Sequence, residues 1–368
     1  MFSVAIQLGS PAAVTHYAPL PVSPALRGYA AEESQLRVTD VKVPVSITGL
    51  AARWCPTGRD LYLEKVRKLK VPTWPRSVLG KVVDELLVGL HRTGLAVVED
   101  AFESDVAGRQ TFDLDATRTT ILEQGKALVG GLLDAWPEDD KSVKGLTLEA
   151  FAEQVDPGNG ARLIEKTTEA LFDLIKHETD ILARYVAERR HVGGDWMAEV
   201  RATLTRLQTG LTLDGKGFRA VTFGLSESVR PDFVYAVTLI GDLKAGPYQA
   251  YYEGVATGYV IFAEYALHRR INTAAILAVD LDLSNGRVAS HQVKIIKPDD
   301  ELRTRWLTQR DDALSTCALP AEPPHPTDTS YCPECLYRRV CWQDGVVGGT
   351  PIADGAPVPP APVLASPA

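Results

Sequence analysis

The sequence predicts an α/β or α+β core preceded by a mainly helical block, and two patterns predict it. From about residue 112 to 212 apolar residues recur every three or four positions, as in "ARLIEKTTEALFDLIKHETDILARYVAERR", which is the period of an amphipathic helix. Beyond that block the pattern changes. "FRAVTFGLS" and "DFVYAVTLIGDLK" read as strands, "YQAYYEGVATGYVIFAEYAL" as a long buried helix, and "AAILAVDLDL" with "ASHQVKIIK" as two strands around the turn "SNG". Strands interleaved with helices in this way belong to α/β or α+β architectures. With 368 residues, 45% of them hydrophobic, the chain can bury a sizeable core in one large domain or two smaller ones.

The remaining elements follow in order. Residues 1–36, rich in Pro, Ala and Ser, show no sustained period and are expected to be a poorly ordered lead-in. "VTDVKVPVSITGL" (38–50) alternates like a strand and runs directly into "AARWCPTGRDLYLEKV", which places Cys55 at an expected strand-to-helix junction. In "SVLGKVVDELLVGLHRTG" (77–94), Leu79, Val82, Val83, Leu86, Leu87 and Leu90 fall on helical spacing, with Gly94 as the expected stop. "LPAEPPHPTDTS" (319–330) reads as a Pro-rich linker and residues 351–368 as a low-complexity tail. A short cysteine-bearing island between two such segments needs more than its own burial to order it, and a metal centre supplies that.

The formal net charge of -8 argues against a protein that coats nucleic acid through overall positive charge. It leaves room for a local basic groove. "LHRR" (267–270), "RTRW" (303–306) and "LYRR" (336–339) are candidate phosphate contacts, with ordinary solvated arginines as the plain alternative. No stretch approaches the roughly 20 apolar residues that span a bilayer, and "MFSVAIQLGSPAAV" lacks the plan of a secretory signal. A cytoplasmic location without membrane partners is therefore expected. There, few and unevenly spaced cysteines are metal ligands or redox groups more often than disulfides.

Three of the five cysteines fall in "YCPECLYRRVCW" (331–342). Cys332 and Cys335 form C-x2-C, which serves redox pairs, zinc knuckles and iron-sulfur sites alike. Cys341, five residues further on, weakens the redox reading, which needs only two thiols. A structural site usually has four ligands, so the fourth is Cys55 or Cys317, and the ordered-looking "WCPTGRDLYL" favours Cys55. Zinc and an iron-sulfur cluster both accept four thiolates, and a plain staple without catalytic meaning satisfies the same pattern.

The tripeptide D-x-K occurs at Asp40, Asp139, Asp214 and Asp242. Only the last closes a long apolar strand, "FVYAVTLIG", with a second acid, Asp232 in "RPDF", at the strand's other end. Two carboxylates with Lys244 beyond the second suit a hard divalent ion acting on a phosphodiester. By the two-residue strand period Lys244 shares a face with Asp242, where it could orient water or meet the scissile phosphate. An incidental Asp-Lys surface pair is the plain alternative. His91 is a further candidate ligand, although a lone histidine at a helix end is commonly structural. Asp84 and Glu85 in "GKVVDE" also read as a solvated helix face. Gln249 and Tyr252 or Tyr259 follow the lysine at positions from which they could reach a substrate, with core packing the ordinary role for both tyrosines.

Taken together, "CPTGRDLYL" near the start, the acidic pair before D-x-K in "GDLKAG", and C-x2-C-x5-C at the end resemble the RecB-like iron-sulfur nucleases associated with CRISPR loci, in particular the variant found with type I-A systems. The resemblance touches most of residues 50–342. It implies a restriction-endonuclease-like, PD-(D/E)xK mixed sheet flanked by helices. It also implies a 4Fe-4S cluster on Cys55, Cys332, Cys335 and Cys341 that staples the fold, with Cys317 left over. Asp232, Asp242 and the carbonyl of Leu243 would hold Mg or Mn, and Lys244 would be the catalytic lysine. The family's G-x3-H-E segment has its counterpart in "GKVVDE", with Asp84 in the histidine's place and His91 as competitor; Gln249 and one of the two tyrosines match only loosely.

On that resemblance the chain divides into a lead-in (1–36), the first part of the nuclease domain (37–111), a helical insertion that the resemblance does not explain (112–215), the nuclease core (216–318), the linker with its cysteine cluster (319–350) and the tail (351–368). The implied activity is exonucleolytic trimming of single-stranded DNA ends, 5'-to-3' in the family, preparing spacer precursors for the CRISPR integrase. A cysteine-stapled module that binds DNA or the integrase without cutting is the alternative.

Overall fold

The computed structural model describes residues 1–10, 20–30, 36, 43–52, 55–69, 75–108, 110–135, 147–209, 223–225, 229–236, 238–330, 332, 335, 337 and 341. Five strands form one mixed sheet in the order β1 (Leu207–Thr209), β2 (Phe233–Tyr235), β3 (Leu239–Ala245), β4 (Thr273–Asp282) and β5 (Arg287–Ile296). Neighbours are antiparallel except β3 and β4, which run parallel. The crossover that a parallel pair requires is the helix Tyr252–Leu267.

Helices cover both faces of the sheet. Along the chain they are α1 (Phe2–Gly9), α2 (Ile47–Ala51), α3 (Arg59–Lys65), α4 (Pro75–Val106), α5 (Leu114–Asp134), α6 (Leu148–Val155), α7 (Gly160–Val192), α8 (Trp196–Thr205), α9 (Tyr252–Leu267) and α10 (Asp300–Cys317). The two-residue strand period sorts the core. Phe233, Tyr235, Leu239, Leu243, Ala275, Leu277 and Val279 pack with α1, α4, α5, α7 and α8. Val234, Ile240, Ala274 and Ile276 pack with α2, α3, α9 and α10. Among the described residues no helix is long and apolar enough to cross a membrane.

Several expectations are corrected by this packing. The start is not an unstructured lead-in: α1 buries Phe2, Val4, Ala5 and Leu8, and the Ser3 hydroxyl donates to Glu178 Oε1 of α7 at 2.5 Å. Eight residues make too few turns for an amphipathic period to be read from sequence. The strand expected over 38–50 is reduced to a single bridge, Val45 with Leu225, before Ser46 caps α2 by accepting from the Gly49 N–H at 3.0 Å; residues 38–42 lie outside the described residues. Cys55 therefore sits in a turn between two helices. Helix α4 runs on through Gly94 to Val106. That glycine is a close approach rather than a stop, because a Cβ there would lie 2.3 Å from the Phe2 ring.

Between them, α5 to α8 and β1 account for the described part of residues 112–209. They are docked on the sheet: the Val288 N–H of β5 donates to Asp173 of α7 at 2.9 Å, and His291 meets Glu178 at 2.8 Å.

Within "RTRW", Arg303 is buried and cannot contact phosphate. Its Nη1 pairs with Glu264 Oε2 of α9 at 2.8 Å, and Arg27 Nη1 pairs with Oε1 at 2.5 Å. The same carboxylate accepts from the N–H groups of Gly28 and Ile271, each at 3.0 Å. Removing one partner from such a buried group typically costs about 3–5 kcal/mol. Arg305 pairs with Glu301, whereas Arg269 and Arg270 of "LHRR" are exposed. Arg338 and Arg339, the tail, and most of "FRAVTFGLS" lie outside the described residues.

Candidate active site and thiol cluster

The apolar run expected as one long strand is a hairpin. It breaks at Ala236, whose φ of 50° is left-handed, and the register Phe233↔Gly241 folds the two halves together. The two acids, ten residues apart in sequence, thereby become neighbours across the pair. Gly241 permits the approach, since a Cβ there would lie 1.8 Å from the Phe233 ring. Asp232 Oδ2 accepts from the Leu243 amide at 2.5 Å, and Lys244 ion-pairs with Asp242. Leu243 thus enters the site through its N–H, with its side chain in the core. Asp84 arrives from α4, which packs along β3, and feels the charges of Asp242 and Lys244.

The electrostatics show how closely these groups are held. Burial and then the charge of Asp242 push the Asp84 carboxyl up to about 6. Asp232 is raised well above the ordinary carboxylate range by burial, and by Asp242 and Asp84. Burial by itself would lower the Lys244 ammonium, but Asp242 and Asp232 outweigh it, and the net shift is upward. Asp84 Oδ1 is buried without a hydrogen-bond donor, and the buried Asp242 Oδ2 is ion-paired with the Lys244 ammonium. Such oxygens are costly without compensation, and a divalent cation is the partner their chemistry suits.

A stability test follows from the signs. Carboxyls whose pKa is raised on folding favour the folded state below the unfolded value and lose that contribution as pH rises through the folded one. Without divalent ions, Asp84→Asn should therefore stabilise the protein at pH 8 by about 1–2 kcal/mol after solvent screening, and by much less at pH 4. Urea unfolding in a chelator measures this; a lower midpoint for the variant at pH 8 would contradict the picture.

The other expected residues divide. Tyr259 on α9 is beside the acids: burial, then Asp242, Asp232 and Asp84, raise its phenol, and its hydroxyl donates to the Arg230 carbonyl at 3.3 Å. Tyr252 is in the core, Gln249 is exposed on the turn before α9, and Glu85 is exposed on α4. His91 is not in the site. It lies two helical turns beyond Asp84, buried against the Phe2 ring, and burial pushes it down to about 4. Tyr251, close enough to Lys244 to influence its charge, was not distinguishable in sequence from the tyrosines around it.

Of the four cysteines expected to act together, Cys335 feels Cys341 and Cys55, and Cys341 feels Cys55 and Cys332. Burial pushes the Cys335 thiol up to about 12, and Asp60, Cys341 and Cys55 contribute; Cys341 is likewise raised by burial and by Cys55 and Cys332, against the pull of Arg59. None of the chain's cysteines is in a disulfide, and Cys317 is buried at the end of α10 in the core. Segment 319–330 is no loose linker. Thr57 donates to the Pro324 carbonyl at 2.9 Å, Arg59 to that of Pro323 at 2.8 Å, and Glu322 pairs with Arg59 and Arg67. Sequence reading missed Arg59, although the "CPTGRD" turn that holds it had been singled out.

Among the described residues no three His, Cys, Asp or Glu side chains already converge tightly enough to hold a metal. Both groupings are neighbourhoods of donors rather than closed coordination spheres. In kind they fit: carboxylate oxygens suit Mg or Mn, and four thiols suit iron-sulfur or zinc. Raised thiols give up their protons on binding, which couples loading to pH.

Residues 164–344, just under half of the chain, match the family model described as CRISPR-associated exonuclease Csa1, so the resemblance to a CRISPR-associated nuclease family holds over that stretch. It includes Asp232, Asp242, Lys244 and three of the clustered cysteines, while Asp84 and Cys55 precede it. No curated protein and no solved structure matches the chain.

Proposed function

From the similarity of residues 164–344 to the CRISPR-associated exonuclease Csa1, we propose that this chain is a metal-dependent DNA exonuclease on a PD-(D/E)xK core. Its substrate is single-stranded DNA ends, trimmed 5'-to-3', and its place is the processing of spacer precursors for the CRISPR integrase in the cytoplasm. The observation that carries the reading is the hairpin that sets Asp232 against Asp242, with Lys244 two residues on and Asp84 supplied by α4.

A Mg or Mn ion held by Asp84, Asp232 and Asp242 would supply Lewis-acid charge and lower the pKa of a bound water. The chain supplies the rest. Lys244 stays an ammonium at neutral pH because two carboxylates hold its proton, so it stabilises charge developing on phosphate oxygens rather than taking a proton. Asp232 is oriented by the Leu243 amide. Tyr259, its ionisation suppressed, offers a neutral hydroxyl at the edge of the acids. Exposed Arg269 and Arg270 at the end of α9 are the described part of a local basic surface for the DNA backbone. Cys55, Cys332, Cys335 and Cys341 would hold a 4Fe-4S cluster that closes the chain's end onto the α2–α3 turn.

Protein purified without oxygen should contain about four irons per chain and shorten end-labelled single-stranded DNA in Mn but not in chelator. A colourless protein with one zinc that binds the DNA and leaves it uncut would instead be a stapled binding module.

A further inference from the structure

We propose that Tyr248 and Lys294 form a single-strand subsite beside the acids, the Tyr248 ring stacking on the base next to the scissile phosphate and Lys294 taking that nucleotide's phosphate. The inference rests on the nuclease reading above and names how its site would tell a single strand from a duplex. The register of the sheet places the pair. Asp242 of β3 is level with Ile276 of β4, and Ile276 with Lys294 of β5. Residues level across a sheet point to the same face, and Ile276 packs on the α9 side. Asp242 and Lys294 therefore share that face, two strand spacings or about 10 Å apart. Lys244, Ala278 and Gln292 form the next row on it. Strand β5 ends the sheet, and both Gln292 and Lys294 are exposed there. The chain leaves β3 through Gly246, whose φ of 120° favours glycine. The turn brings Tyr248 to the same face, where the Lys294 ammonium lies over its ring, 4.7 Å from the centroid.

The ring is held in place. Tyr252 meets it edge-on at 5.7 Å and 86°, Tyr251 meets Tyr252 at 4.6 Å and 71°, and the Tyr248 hydroxyl donates to Glu253 Oε1 at 3.4 Å. Tyr248 is nonetheless half-buried, whereas Tyr252 is in the core. A fixed, half-exposed ring with a cation against it, four residues past Lys244, has the makeup of a site for unpaired nucleotides. Aromatic faces stack on any base, and lysine neutralises the backbone. Interior base pairs of a duplex have no free face to offer, so the ring favours single strands. In the structure the lysine covers the ring. A cation-π contact at an exposed site is weak, and base stacking is stronger. An arriving base therefore takes the ring, and the flexible lysine stem carries its ammonium to the phosphate that comes with it.

The test measures binding by the full chain, purified without oxygen and kept in chelator so that nothing is cut. The probe is labelled oligothymidine carrying one abasic position, moved stepwise from the end. At one position the missing base should cost wild type about tenfold in affinity. Tyr248→Leu should bind intact single strands about tenfold more weakly, lose its sensitivity to that position, and bind duplex as wild type does. Tyr248→Phe, which keeps the ring, should match wild type throughout. Lys294→Gln should keep the abasic response and reduce the slope of log K against log salt by about 0.7.

An undiminished abasic response in Tyr248→Leu overturns the proposal, as does an unchanged salt slope in Lys294→Gln. So does equal weakening of single strands and duplex, which would make the effect one of folding. If Tyr248→Leu does not fold, the wild-type scan decides together with Lys294→Gln, whose side chain is exposed: no sensitive position, or no change in slope, overturns the proposal. A wild type that shows the abasic signature yet leaves single strands uncut in Mn supports the subsite and defeats the nuclease reading. A wild type that cuts in Mn while the variants bind as it does defeats only this inference.

Discussion

Asp242→Asn and Lys244→Ala should each reduce shortening of single-stranded DNA by at least about a thousandfold, with iron content and visible absorption unchanged. Asp242 is the group whose charge reaches the other members of the acidic site. Lys244 pairs with it, Asp232 and Asp84 are both raised by its charge, and Tyr259 feels it most strongly after burial. Asparagine keeps the shape and removes the charge that a hard cation requires. It also relieves repulsion within a buried carboxylate group, so the loss of activity should come without loss of fold. Gel-resolved cleavage beside an absorption spectrum checks both halves. Activity within tenfold of wild type would remove Asp242 from the chemistry, and loss of absorption would show that the two sites are not separate.

Cys55→Ser should cost the cluster and much of the stability, while Cys317→Ser leaves iron content unchanged. Cys55 and Cys341 are 286 residues apart in the chain, and closing a loop of that length constrains the unfolded state by about 6 kcal/mol in the chain-entropy view. The turn carrying Cys55 has its own ties to residues 322–324, so the fold should loosen first at the C-terminal segment rather than in the sheet. Iron analysis, thermal melting and limited proteolysis would show this as less iron, a lower Tm and early cleavage beyond α10. Full iron content in Cys55→Ser, or its loss in Cys317→Ser, would move the fourth ligand to the other cysteine.

What could be read in advance was what local pattern encodes. Helical periods located α4 and the helices from α5 to α8, and the D-x-K context picked out Asp242 and Lys244 from four similar tripeptides. Cysteine spacing marked Cys332, Cys335 and Cys341 as a candidate group. What could not be read depended on tertiary contact. The break at Ala236 has no turn signature, since its left-handed backbone occurs at an alanine, so Asp232 seemed a strand's length from its partner. Asp84 and His91 share one helix, and only its docking on β3 shows that the first faces the acids and the second faces Phe2. The Pro-rich composition of 319–330 suggested a free linker because the arginines that pin it are more than 250 residues away in sequence.

Helix α9 carries a further consequence. Tyr259 stands over the acids, and five residues later Glu264 is gripped by Arg27, Arg303 and two backbone amides. The intervening rise is about 7.5 Å. An axial slip of even one residue, about 1.5 Å, would pull Glu264 out of that grip, so the far end of the rod works as a gauge block for the near one. The height of the phenol above the carboxylates is set from inside the core, by residues that never approach a substrate.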